Sequence, residues 1–176
     1  HNDDIYLYDL STNREQRITT GPADDSSPVI DNGRIVWQRT SAIRNLDIFF
    51  YDIATGQEMK ISKSGYAAHD YYPAIYGDRV VWADARISQG NTADDVIEGG
   101  KSGAAEIYLY DLESQQETLL VPSESTEFTL NAGGGQGRTF IERQVWLNPV
   151  MHGSFVVYAL SRQVDPATFV LRLDKK

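Results

Sequence analysis

The stretch Asp4-Ile5-Tyr6-Leu7-Tyr8-Asp9-Leu10 returns as Asp47-Ile48-Phe49-Phe50-Tyr51-Asp52-Ile53, and again as Glu106-Ile107-Tyr108-Leu109-Tyr110-Asp111-Leu112. The first two copies lie 43 positions apart, 4 to 47. Each runs on into a matching tail: Arg17-Ile18-Thr19, Lys60-Ile61-Ser62 and Leu119-Leu120. A second motif interleaves with the first. "PVIDNGRIVW" covers Pro28–Trp37, "PAIYGDRVVW" covers Pro73–Trp82, and a worn copy, "PVMHGSFVVY", covers Pro149–Tyr158. Two motifs written alternately at such a spacing mean stacked copies of one supersecondary unit.

The unit reads as two hairpins. "SPVI" and "RIVWQR" are short, β-branched or aromatic runs split by Asn32-Gly33, with Gly77-Asp78 at the same place one unit later. Such pairs accept the positive φ that tight hairpin turns demand. "DIYLYDL" and "EQRITT" form the second hairpin around Ser11–Arg14, and Ala54-Thr55-Gly56 does the same in the next copy. Along the third strand Ile5, Leu7 and Asp9 share one face while Tyr6, Tyr8 and Leu10 share the other. Apolar residues on both faces predict a sheet covered on both sides by neighbours. No stretch holds an apolar period of 3.6, so no long helix is expected.

The fold class is therefore all-β, built from four-stranded antiparallel meanders of β-propeller-blade size. The repeated Trp37 and Trp82 are read as packing between blades. The motifs Arg34-Ile35-Val36-Trp37 and Arg79-Val80-Val81-Trp82, the prolines Pro28 and Pro73, and the three Tyr-rich strands resemble TolB-like β-propeller repeats of archaeal and bacterial cell-surface proteins. The Gly-His and Trp-Asp pair of WD40 blades is missing. This resemblance implies rings of six blades and a role in binding or scaffolding. It is strong over residues 4–84 and 106–120 and faint from Pro149 onward.

One domain over residues 1–176 is expected, with units at 27–62 and 72–121. A third unit is expected from residues 4–20 joined to 146–174, the two ends exchanging strands. Insertions fall at 87–105 and 122–144, and Thr168–Asp174 is a surplus strand that competes with Asp4–Leu10 or pairs with a neighbour's edge. About three blades make an incomplete ring, since closed propellers have roughly four to eight. Either the chain is a piece of a longer one or copies assemble.

The formal net charge of −9 argues against nucleic acid as a partner. The apolar runs are too short for membrane insertion. There is no cysteine, hence no disulfide, thiolate metal site or cysteine nucleophile. The first residue is His1, which fits a processed, exported protein as well as an excised segment.

Candidate chemistry is sparse. Asp94, Asp95 and Glu98, in the 87–105 insertion, are the candidate Ca²⁺ ligands, but they lack the D-x-D-x-D-G spacing of a calcium loop. "AGGGQGR" (Ala132–Arg138) lacks the Lys-Ser/Thr of a phosphate loop and reads as the tip of an extra hairpin between Glu127–Leu130 and Thr139–Trp146. His1, His69 and His152 form no ligand pair, and no Gly-x-Ser-x-Gly elbow occurs. Asp70 matches Asp25 one unit earlier, and Asp9, Asp52 and Asp111 match one another; all are read as turn formers. No catalytic residue and no required cofactor is assigned. The expectation is a non-enzymatic structural or interaction protein, extracellular or at the cell surface, that associates with itself or another surface protein through sheet edges. The alternatives are a propeller that binds a glycan, peptide or cation, and the non-catalytic propeller of a larger enzyme.

Overall fold

The computed structural model describes residues 2–41, 45–64, 69–85, 105–122, 125–132, 136–164 and 170–173. Every regular element among them is a strand. β1 (Tyr6–Asp9) and β2 (Arg14–Arg17) pair as a two-stranded sheet. β3 (Asp25–Asp31), β4 (Arg34–Thr40), β5 (Leu46–Asp52) and β6 (Gln57–Lys60) follow as a four-stranded antiparallel meander. β7 (Asp70–Tyr76), β8 (Arg79–Asp84), β9 (Glu106–Asp111) and β10 (Gln116–Val121) repeat it. The last sheet holds β11 (Ser125–Ala132), β12 (Gln136–His152), β13 (Phe155–Val164) and β14 (Val170–Leu173).

The repeated sequence writes a repeated register. Arg34 faces Asp52 and Trp37 faces Phe49 across β4 and β5, just as Arg79 faces Asp111 and Trp82 faces Tyr108 across β8 and β9. Alternation then sends successive residues to opposite faces. Ile35 and Trp37 pack back onto Ile5, Leu7 and Ile18 of the first sheet. Val36, Ile48 and Phe50 look forward and meet Ile75, Val80, Trp82, Tyr108 and Tyr110. Val81, Ala83 and Ile107 look forward in turn, onto Met151 and Val156. Four sheets thus stack in chain order, and Trp37 and Trp82 each pack against the preceding sheet, as expected of inter-blade residues. Both are fully buried.

The turns repeat as faithfully. Asn32 and Gly33 both take positive φ, and Gly77 and Gly153 do so in the later copies. In the outer hairpins the left-handed residue stands four after the strand-ending aspartate: Asn13, Gly56 and Gln115. Those aspartates fold the turns. Asp9 accepts from the Ser11 amide and hydroxyl, Asp52 from those of Thr55, and Asp111 from those of Ser114. The hydroxyls and amides of Ser11 and Thr12 hold the Asp9 carboxyl down at about 2.

Two expectations need correction. Residues 4–20 do not join 146–174 in one sheet. Hairpin β1–β2 lies on one end of the stack and β12–β13 on the other, with two complete meanders between them. Nor does the last strand compete with Asp4–Leu10. β14 pairs Val170–Leu173 with Gln136–Thr139 of β12. The reason is the length of β12: its 17 residues run beyond the stretch paired to β13, and that overhang gives β11 and β14 a partner. The 122–144 insertion contains the expected hairpin, β11 against the first half of β12, in register from Ser125↔Arg143 to Ala132↔Gln136.

Candidate interaction surfaces

The inner strands carry a feature that no single motif announces. Each breaks its ladder with a bulge: between Ser26 and Val29, between Tyr71 and Ala74, and between Leu147 and Val150. The residue at each break, Ser27, Tyr72 or Asn148, has φ between 50 and 55 and precedes a proline. A left-handed non-glycine residue costs roughly 1–2 kcal/mol, so three equivalent instances mark a designed corner rather than an accident. The three corners converge. Ser27, Tyr72 and Asn148, with Pro28, Pro73 and Pro149 and the residue after each proline, line one groove of about 320 Å³. It lies where the axis of a ring would run, and its lining is mostly apolar.

The two ends of the stack expose what the middle buries. Ile30 is 55% exposed, whereas its equivalent Ile75 is 6% exposed. Val157 is 63% exposed, whereas Val36 and Val81 are fully buried at 0%. Tyr6 and Tyr8 stand half in solvent, while the equivalent Tyr108 and Tyr110 are buried. At the first end a second groove, of about 160 Å³, runs between Ile5–Tyr8 and Pro28–Ile30, floored by Ile35. Among the described residues β1 pairs only with β2, and β13 only with β12. Each end therefore offers both an apolar face and an open strand edge.

Behind these surfaces lies a polar latch and its altered copy. Asp25 is not merely a turn former, as its place ahead of the proline motif suggested. It is buried at the start of β3, where Oδ1 accepts from Trp37 Nε1 at 2.8 Å and from Arg39 Nε at 2.6 Å. Arg39 continues to Glu58 at 2.6 Å and lies 4.1 Å over the Phe49 ring. Burial works against the guanidinium's charge, but the bonds to Asp25 and Glu58 win, and its pKa rises.

One sheet later Asp70 and Trp82 stand in the same places, but Asp84 replaces the arginine. Asp70 and Asp84 are cross-strand partners, as Asp25 and Arg39 are, and both are fully buried. Burial pushes the Asp70 carboxyl up. Hydrogen bonds from Ser64, Ser62 and Asp84 hold it back, and the charge of Asp47 adds to the rise. Burial and the Asp47 charge both favour the neutral form of Asp70, and a hydrogen bond between two carboxyl groups needs one proton between them. His69, beside them, is buried and stacked on Tyr71, and burial lowers its pKa against the pull of Asp47.

Among the described residues no three His, Asp or Glu side chains are placed to hold a metal ion. Asp94, Asp95 and Glu98 lie outside the described residues. His69 and His152 sit in different settings: His152 packs edge-on against Tyr76 with ring centroids 4.7 Å apart. The axial groove escaped sequence reading because it needs three distant corners at once; the signal available was the proline at the same place in each copy.

The architecture is that of stacked β-propeller-type blades, open at both ends. No family model and no curated protein matches the chain. Among solved structures it is similar to TolB from Acinetobacter baumannii, at 17% identity and a TM-score of 0.34, over 78% of this chain and 45% of that one. It is also similar to the β-propeller domain of the Trilobed protease from Pyrococcus furiosus, at 14% identity and a TM-score of 0.45, over 97% of this chain and 48% of that one. The chain spans about half the length of these two. The blade description rests on the sheets themselves.

Proposed function

We infer that this chain is a non-enzymatic structural or interaction module of the cell exterior, which associates through the open ends of its blade stack. The observation that carries the reading is the pair of exposed apolar ends, at Tyr6, Tyr8 and Ile30 on one side and at Phe155 and Val157 on the other. Burying such faces is the main drive for association. An acidic chain with a net charge of −9 keeps such a particle soluble.

Light scattering behind a sizing column tests the association. Concentration-dependent growth beyond 19.7 kDa is expected, and a clean monomer at all concentrations overturns it. The exterior location is tested by antibody labelling of intact cells of the source organism against lysed ones. Labelling only after lysis removes that part.

A second reading has one observation in its favour. The axial groove, with three prolines and Tyr72 on its walls, suits an extended peptide or a sugar ring. Calorimetric titration with proline-rich peptides and simple glycans is the check, and flat heats remove it.

A further inference from the structure

We propose that β1 of one copy adds to β13 of a second copy, along the edge that pairs with no strand among the described residues, in a register that the repeat itself dictates. This deepens the self-association reading above and rests on it.

The internal repeats give the rule for joining a second strand to a third. In β4–β5 and β8–β9 the residue after the tight turn, Arg34 or Arg79, faces the aspartate that ends the third strand, Asp52 or Asp111. The worn copy keeps the turn at Gly153 and places Phe155 where those arginines stand. β1 is the matching third strand, ending in Asp9. Transferring the register gives Phe155 opposite Asp9, Val156 opposite Tyr8, Val157 opposite Leu7 and Tyr158 opposite Tyr6. β12 and β13 supply a first and second strand whose third is missing among the described residues. β1 and β2 supply a third and fourth strand whose first two are missing. Each lacks what the other holds.

The side-chain faces agree with the backbone. Val156 looks back onto the second meander with Met151, as Ile35 and Val80 look back in their sheets. Val157 then looks forward, where Val36 and Val81 find the next blade. In the joined pair that next blade is the second copy's β3–β4, and Val157 comes down on Ile30 and Ile35. Those two residues line the groove beside β1, which is the space left for an inner strand pair. One contact thus fills the groove, covers Val157 and Ile30, and completes a four-stranded blade. Where the inner repeats set an arginine opposite the aspartate, this joint sets Phe155 opposite Asp9 and gains its strength from apolar burial. Made twice about a two-fold axis, the joint gives a closed ring of six blades; made once per copy without closure, it gives a filament. The register is the same in both.

The test uses engineered cysteines, since the native chain has none to confuse the result. A Tyr6→Cys chain is mixed with a Tyr158→Cys chain under mild oxidation. Directly opposed residues stand about 4.5–5.5 Å apart at Cα, within disulfide reach. A heterodimeric disulfide is expected for this pair, and none for Tyr6→Cys with Phe155→Cys, which is three residues, or about 10 Å, out of register. Val157→Lys is the companion variant. Val157 is exposed in the single chain, so its fold and circular dichroism stay unchanged while self-association weakens at least ~10-fold. Three results overturn the assignment. Association without the in-register disulfide sinks this joint but leaves self-association standing. Full association by Val157→Lys does the same. A monomer at every concentration sinks both.

Discussion

At the scale of single residues the sharpest contrast is between Arg39 and Asp84. The same corner of the blade holds an Asp–Trp–Arg latch in one meander and a buried pair of aspartates in the next. Asp25→Ala strands a buried indole N–H and a guanidinium, and is expected to cost about 3–5 kcal/mol, the range for breaking a buried ion pair, measured by urea denaturation. Asp84 predicts the opposite. A raised Asp70 pKa means that the folded chain binds a proton the unfolded chain releases near pH ~3.9. The stability tied to that proton is whole below the unfolded value and is lost as pH rises through the folded one. Asp84→Asn keeps a donor toward Asp70 and removes one charge. It is expected to raise stability toward neutral pH and to flatten the profile, read as denaturation midpoints from about pH 4 to about pH 8. An unchanged profile would show that the pair does not share a proton. Neither role was legible in the sequence. Asp25 and Asp70 looked like turn formers because their partners, Trp37 and Arg39 for Asp25 and Asp84 for Asp70, become neighbours only once the hairpin closes.

At the scale of elements the outer hairpins offer a paired experiment. The position four after the strand-ending aspartate is left-handed in all three copies, but only one copy has glycine there. Gly56→Ala is expected to destabilise by about 1 kcal/mol from backbone strain. Space is not the obstacle, for an added Cβ meets only the Tyr51 hydroxyl at 3.8 Å. Gln115→Gly is expected to move stability the other way by up to about 1 kcal/mol. Thermal midpoints of both variants check the signs. The hairpins themselves were the most legible part of the sequence. Period-two alternation, Asn32-Gly33 and the recurring Asp9, Asp52 and Asp111 are local signals, and local signals survive folding unchanged. The bulges at Ser27, Tyr72 and Asn148 were not legible, because a residue before proline ordinarily avoids that conformation.

At the scale of the whole molecule the stack has a well-buried middle and bare ends. Val36, Ile48, Trp82 and Tyr108 knit the two complete meanders together, whereas β2 is exposed throughout and β6 nearly so. In the unassociated chain, hydrogen exchange is therefore expected to be slowest in β4, β8 and β9 and fastest in β1 and β2. Equal protection along the chain would contradict the stack. Trp82→Ala, which empties the joint between meanders, should cost about 3–5 kcal/mol. The four-stranded unit and its stacking could be read from the sequence because every copy repeats the same alternation. The placement of the two ends could not, because the repeat dictates which strands pair within a unit and not where the first and last half-units lie, and stacking in chain order sets them at opposite ends.

The prolines at the three corners carry one further consequence. β3 and β7 are the outermost strands of their sheets on the axial side, and each carries a proline there. A proline has no N–H to offer an incoming strand, and natural sheets use it to blunt borders that would otherwise recruit more chain. Growth toward the hub is thereby discouraged. That border is disarmed by a single imino acid, placed at the same corner of both meanders.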